Sequence, residues 1–348
     1  MGLWTDLINP VEATGIARVE QYEIEQAKGG TLARFLPNVF VPSDHVKFYP
    51  SSTGLVDAAS YRAFNDRPQI GKGQGAKAST IDLPAIARTE PLDEMTQKEL
   101  ARLSDDRVKK GIEASIRRNV QAISQRQEWA RGRVIDSGAL VVDADNFAIN
   151  DVFGRSASLS ATAGAGGWWN DNAVDRLTAL STWQDLYASL NNGVAPGRMV
   201  FGSRQAYNAF AAGNQFKTLV GSASRPPLAS EVQAYAAGAG LPEYEIYDRS
   251  VSIDGVLTKV LDPKKVYLLP EPVAPDSEDG SQLGATYWGL TVSAQFESWG
   301  IEADEQPGIV CGVFKDEKVG SSVEVEADAI GEPVAANPNA SMAIQVLS

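Results

Sequence analysis

The feature that most constrains this chain is a glycine-tipped basic ribbon that runs straight into one very long charged helix. The ribbon covers residues 58–91. Its tip is Gly71-Lys72-Gly73-Gln74-Gly75, with Lys77 just beyond. Residues 58–64 form the outgoing limb and 78–83 the returning limb, where polar and apolar residues alternate up to Pro84. The pattern then predicts a helix over residues 95–134, on the order of 60 Å long. The average globular helix has only about 10–14 residues. A two-stranded ribbon alone is marginally stable in water. A ribbon that cannot bury itself, joined to a rod, implies a subunit completed by its neighbours. That reading favours assembly over catalysis.

The helix is expected to pack as a rod along a sheet. Its apolar residues Leu100, Leu103, Val108, Ile112, Ile116, Val120 and Ile123 recur mostly at steps of three or four and make one narrow stripe. A coiled coil fails the heptad test, because Arg107, Lys110 and Arg117 would fall in the seam.

Composition narrows the function. The 348 residues amount to roughly two domains. There is one cysteine, Cys311, so neither an intrachain disulfide nor a cysteine-based zinc site can form. Any histidine-dependent mechanism would have to use His45, the single histidine. The start, Met1-Gly2-Leu3-Trp4-Thr5-Asp6, lacks the basic and apolar regions of a secretory signal. No stretch approaches the roughly 18 apolar residues of a membrane span. Net charge is −13 and uneven: residues 1–136 carry 19 Lys+Arg against 18 Asp+Glu, and residues 137–348 carry 12 against 26. Tight non-specific DNA binding needs an excess of lysine and arginine. An acidic chain is a poor DNA binder, although it can enclose nucleic acid without affinity.

Elements alternate along the rest of the chain. Residues 1–45 read as an arm, with a helix over 11–28 and an extended segment over 39–41. Two readings stay open for the arm: a surface helix on its own domain, or a strap on a neighbouring subunit. A strand at 138–142 runs directly off the long helix. Residues 151–172, rich in alanine, serine and glycine around Trp168-Trp169, read as a linker. A mixed domain follows over 173–294. Its helices are expected at 174–190, 203–212 and 229–237, and its strands at 198–201, 243–247, 266–269 and 286–291, with a hairpin turn at Asp254-Gly255. Strands return over 295–348, at 309–314, 323–325 and 342–346, and are expected to rejoin the domain that holds the long helix. The fold class is therefore α+β with a discontinuous domain.

Catalytic and ligand patterns are poor. Asp143, Asp145 and Asp151 begin like a calcium loop, but Phe147 and Ala148 occupy positions that need a ligand and a glycine. A polar loop at a strand end is the better reading. Residues 71–77 have the glycines and lysines of a phosphate loop without its spacing. His45, beside Asp44, reads as a strand-edge histidine, and Trp168-Trp169 as an anchor for the linker. No catalytic, cofactor-binding or metal residue is assigned. A hydrolase or calcium-binding enzyme remains a distant alternative, and it would be a compact monomer.

The order of arm, ribbon, rod, mixed domain and returning strands resembles the major capsid protein of tailed double-stranded DNA phages, the Hong Kong 97-like fold. It is most similar to the lambda-type capsid protein E family. The segments that carry the resemblance are Phe35-Leu36-Pro37-Asn38, the tip from Lys72 to Lys77, the helix 95–134, the blocks 251–255 and 267–270, Tyr287-Trp288-Gly289, and the ending Gln345-Val346-Leu347-Ser348. The resemblance implies an N-arm (1–45), an extended E-loop lying across the adjacent subunit (46–91), a peripheral domain with its spine helix (92–150 and 295–348) and an axial domain (173–294). It implies inter-subunit contact through Gly71, Lys72, Gly73, Gln74, Gly75 and Lys77. It also implies pentamers and hexamers of a virion shell assembled in the host cytoplasm, around double-stranded DNA that is not read by sequence. The partners implied are a separate scaffolding protein, a portal and, optionally, a decoration protein, with no cofactor and no membrane. An encapsulin-like nanocompartment shell around protein cargo is the alternative on the same fold. Some members join a lysine to an asparagine of the next subunit. Lys72 and Lys77, with Asn337 and Asn339, could supply those groups, but ion pairing of the lysines with an acidic neighbour is the favoured reading.

Overall fold

The computed structural model describes residues 2–26, 30–48, 79–92, 105–144, 147–219, 227–315 and 323–348. The ribbon tip, its outgoing limb at 58–64 and the first turns of the expected helix (95–104) lie outside the described residues. Within the described part, the long helix runs Asp105–Ser137, and its 33 residues span about 50 Å. Ile112, Ile116, Val120 and Ile123 are buried along it, as the stripe requires. They rest on a six-stranded sheet whose central strand is Val323–Val334.

That strand is far longer than the three residues expected from sequence. It pairs antiparallel with Val310–Lys315 on one side and with Ala85–Leu92 on the other. From Gly331 onward it pairs instead with Ala285–Trp288, which in turn pairs parallel with Asn38–Phe40. Gly2–Leu3 closes the far edge against Val310–Lys315. The last part of the returning limb, Ala85–Leu92, is thus built into a main sheet. The limb's first part, Ser79–Asp82, pairs with His45–Phe48. The two paired strands at the base of the ribbon are therefore His45–Phe48 and Ser79–Asp82.

The helix Pro10–Gln26 lies against the long helix and strand Val310–Lys315. It buries Ala13 and Ala17 and leaves Val19 and Tyr22 exposed. Of the two readings of the arm, the surface helix on its own body describes this packing.

The second sheet is five-stranded: Glu243–Ile246, Arg198–Phe201, Lys265–Leu269, Met342–Gln345 and Ser160–Thr162, in that order. Two expectations are corrected here. The terminal strand Met342–Gln345 does not return to the sheet under the long helix. Its buried Met342 and Ile344 complete the core of the second sheet instead. The expected linker also contributes a strand, Ser160–Thr162, which pairs parallel with that terminal strand. Serine, alanine and threonine give an edge strand little apolar signal, so composition alone reads as loop.

Helices Arg176–Leu190, Arg204–Ala211 and Ala229–Gly238 lie close to expectation, and Ser203 caps the second through its hydroxyl. The short helix Asn214–Leu219 was not expected. Trp169 is buried against Phe201 and Phe210, with ring centroids 6.5 and 5.5 Å away. It anchors the 151–172 segment, as its sequence setting suggests.

Candidate functional site: the buried junction and the ribbon root

The long helix joins the two sheets through a buried polar cluster. The apolar stripe continues beyond Ile123 at Gln127, Arg131 and Val134, so Arg131 points into the core. A charge there needs partners, because an isolated buried ion is very costly. Glu25, at the end of the N-terminal helix, accepts from the Arg131 guanidinium at 3.2 Å, and Glu128 lies 3.5 Å away. Asn38 Oδ1 accepts from Arg131 Nη2 at 2.6 Å and from Trp288 Nε1 at 2.8 Å. Thr286 Oγ1 accepts from Arg131 Nε at 2.9 Å and donates to the Leu36 carbonyl at 2.8 Å. Glu128 also accepts from the Leu32 backbone N–H at 2.8 Å and from the Tyr247 hydroxyl.

One guanidinium serves two buried carboxylates. Burial pushes the Glu25 carboxyl up; Arg131 and Asn38 pull it back down. Burial also holds the Tyr247 hydroxyl well above the ordinary tyrosine range, with the Glu128 charge adding to the effect. The cluster welds the N-terminal segment, the long helix, strand Ala285–Trp288 and Tyr247, just past strand Glu243–Ile246, into one unit. Sequence reading missed these residues, although a charged residue on the apolar stripe was the available signal.

The C-terminus of the long helix is pinned too. Gly138 adopts φ +71°, where glycine is favoured, and donates its N–H to the Val134 carbonyl at 2.9 Å. Arg155 Nη1 donates to the Ile135 carbonyl at 2.7 Å, and Asp136 accepts from Lys265 Nζ at 2.7 Å and Tyr267 at 2.9 Å. Lysine and arginine near a helix C-terminus also complement its dipole. The helix therefore ends fixed to the second sheet.

The root of the ribbon is clamped to the same rod. Glu90, on strand Ala85–Leu92, accepts from Arg118 Nε at 3.1 and 3.2 Å. The strand's ladder with Val323–Val334 runs over eight residues, from Leu92 to Ala85. Residues 49–78 lie outside the described residues; the chain on either side of them forms a pair of bonded strands whose last partners are Phe48 and Ser79.

The sequence-derived site residues divide unevenly. Gly71, Lys72, Gly73, Gln74, Gly75 and Lys77 all lie outside the described residues. His45 begins a strand, is half exposed and pairs with Asp44 at 2.9 Å, a surface histidine as read. The hydrogen bond from His45 lowers the Asp44 carboxyl. Asp143 and Asp151 sit near opposite ends of the hairpin formed by Ala139–Ala144 and Phe147–Val152, opposite Ala148 and Leu140 respectively. These two do not converge as calcium ligands, and Asp145 lies outside the described residues. Asn339 is buried, and its side-chain oxygen accepts from the Ser156 N–H at 2.8 Å, which commits it to the interior. Asn337 Nδ2 meets Asn191 at 3.4 Å. Cys311 is fully buried in the first sheet, and burial pushes its thiol far up, so it is no nucleophile.

Comparison with known proteins matches this architecture. No curated protein matches the sequence. A crystal structure named for a prophage capsid protein of Escherichia coli CFT073 superposes with a TM-score of 0.66 at 11% identity, covering 97% of this chain and 99% of that one. A phage-related protein from Bordetella bronchiseptica RB50 gives 0.58 at 13% identity, covering 96% of this chain and 95% of that one. At these identities the likeness shows the fold, which is the Hong Kong 97-like capsid fold. A model of the family described as phage major capsid protein E matches residues 26–278. With nearly three quarters of its length matched, including the ribbon, the rod and most of the second sheet, the chain belongs to the phage major capsid protein E family.

Proposed function

We propose that this chain assembles with itself into the pentamers and hexamers of an icosahedral phage shell that encloses double-stranded DNA. It acts as a structural, non-enzymatic protein of the virion capsid, assembled in the host cytoplasm. The observation that carries the reading is the base of the ribbon. Residues 49–78 are bracketed by bonded strands, one of which continues into the central sheet and is clamped to the rod. A segment whose two ends are held this firmly suits contact with a neighbour. The segment 46–91 is the E-loop, and its tip, Gly71 to Lys77, contacts the next subunit. Residues 67–77 carry Arg67, Lys72 and Lys77 and no acid, which suits the acidic half of another copy. The family match favours a phage shell over a nanocompartment shell.

The partners follow from this reading: a separate scaffolding protein, a portal and, on some shells, a decoration protein. DNA is contained rather than bound, consistent with the net charge of −13.

The test is electron microscopy and sedimentation of the expressed chain with and without the double substitution K72E/K77E. Wild-type protein is expected to form closed icosahedral particles. The variant is expected to remain as small oligomers with unchanged circular dichroism and thermal unfolding. A wild-type chain that stays monomeric at all concentrations would overturn the reading. A variant that assembles normally would remove the tip lysines from the contact.

A further inference from the structure

Two patches of opposite character lie on opposite sides of the first sheet. One is an apolar groove on the side of the long helix. It has a volume of about 270 Å³ and is walled by Trp129 of the helix, Ile86 at the ribbon root, and Val142 and Ile149 of the hairpin Ala139–Ala144/Phe147–Val152. A dry cavity of about 150 Å³ already admits a benzene ring. Two cations stand beside it. Arg126 and Arg133 both stack on Trp129, with guanidinium carbons 4.7 and 5.2 Å from the ring centroid. Among the described residues, no carboxylate forms an ion pair with either arginine.

The other patch is a knuckle over residues 292–305. Strand Val310–Lys315 separates it from the long helix. Cys311 and Val313 face the helix, whereas Val310 faces a small core with Ala294, Trp299 and Ile301. That core fixes the inner side of the knuckle. On its outer side Val292 is 68% exposed and Phe296 55% exposed. Around them Glu297, Glu302, Asp304 and Glu305 are exposed. Among the described residues, none of these carboxylates forms an ion pair. Arg18 donates to the Glu305 backbone carbonyl, not to its carboxylate. No lysine or arginine occurs over residues 266–314, so the knuckle has no cation of its own.

The two patches are complementary. One offers apolar side chains ringed by carboxylates, and the other an apolar groove flanked by guanidiniums. An aromatic anchor in a pocket, with tryptophan and arginine around it, is the usual make-up of a binding hot spot. The sheet stands between the knuckle and the groove of one chain, so the knuckle meets the groove of another. We propose that the knuckle 292–305 of one copy docks on the groove beside Trp129 of the next, with Phe296 in the groove and Glu297 and Glu302 against Arg126 and Arg133. Two different patches on opposite sides make a head-to-tail contact, the kind that closes into rings. The proposal rests on the capsid reading and adds to it one named contact between the copies of a ring.

Reversing the charge of one patch at a time tests this. R126E/R133E makes the groove acidic, and E297R/E302R makes the knuckle basic. Each variant alone sets like charges against each other. Each is expected to need about tenfold or more protein to associate, read by sedimentation velocity, with unchanged circular dichroism. In an equimolar mixture every contact between unlike chains pairs opposite charges, so association should return. Either variant associating like wild type, or a mixture no better than its components, overturns the proposal. A second measurement needs no charge reversal. R126K is assembled from unlabelled and isotope-labelled chains and treated with a zero-length carbodiimide. Position 126 is expected to couple to Glu297 or Glu302 of a differently labelled chain. Coupling confined to one chain, or to other segments only, overturns the proposal even where R126E/R133E does not fold. A wild-type chain that never associates would sink the shell reading itself; a wild type that assembles while these tests fail loses only this contact.

Discussion

Arg131 is a single cation shared between Glu25 and Glu128 in the interior. Removing it strands two carboxylates whose remaining donors are neutral. Replacing one partner of a buried ion pair typically costs about 3–5 kcal/mol, because the desolvation penalty is no longer compensated. Arg131→Ala should therefore lower unfolding free energy by about that amount, read from denaturant titration of the chain. A loss under about 1 kcal/mol would mean the cluster is not the weld its geometry indicates. The sequence marked this position only indirectly, as a charge on an apolar stripe. Apart from Glu128, three positions back, its partners come from residues 93 to 155 positions away, which no local pattern reveals.

At the scale of elements, the rod was legible because its signal is periodic. Ile112, Ile116, Val120 and Ile123 follow the helical repeat and all four are buried. What the rod touches was not legible. Gly132 is the point of closest approach between the long helix and the loop after strand Val256–Lys259. A Cβ there would stand 2.3 Å from the Val260 carbonyl oxygen. Gly132→Ala should gain helix propensity and still destabilise, by about 1–3 kcal/mol, because backbone must move apart. Thermal unfolding measures this, and an unchanged or higher midpoint would show that the contact yields easily. The central strand shows the converse limit. Its first residues alternate in burial, but its second half, from Ile330 to Val334, carries Gly331, Glu332 and Pro333, which read as a strand end. Only the switch of pairing partners makes these residues tenable in a sheet.

Across the whole molecule, the two sheets are tied together by chain segments distant in sequence. Met342–Gln345 lies between Lys265–Leu269 and Ser160–Thr162, so it is an interior strand rather than an appended tail. Ending the chain after Ser341 should remove that strand and expose Tyr267 and Leu268. The expected outcome is loss of cooperative unfolding and aggregation, read by circular dichroism and sedimentation. A truncated chain that unfolds like the full one would show that the strand is dispensable.

The sequence by itself determined the long helix and the mixed sheet content after it, the absence of a cysteine pair, and a net charge of −13 that is unsuited to gripping DNA. These are local or compositional properties, carried by periodicity, turn residues and charge. Tertiary structure alone decided that the last strand and the supposed linker complete the second sheet and that Arg131 welds the two halves. Strand pairing is set by partners hundreds of residues apart, and burial of a charge becomes favourable only when its partners arrive together. Neither condition leaves a mark in the neighbouring sequence.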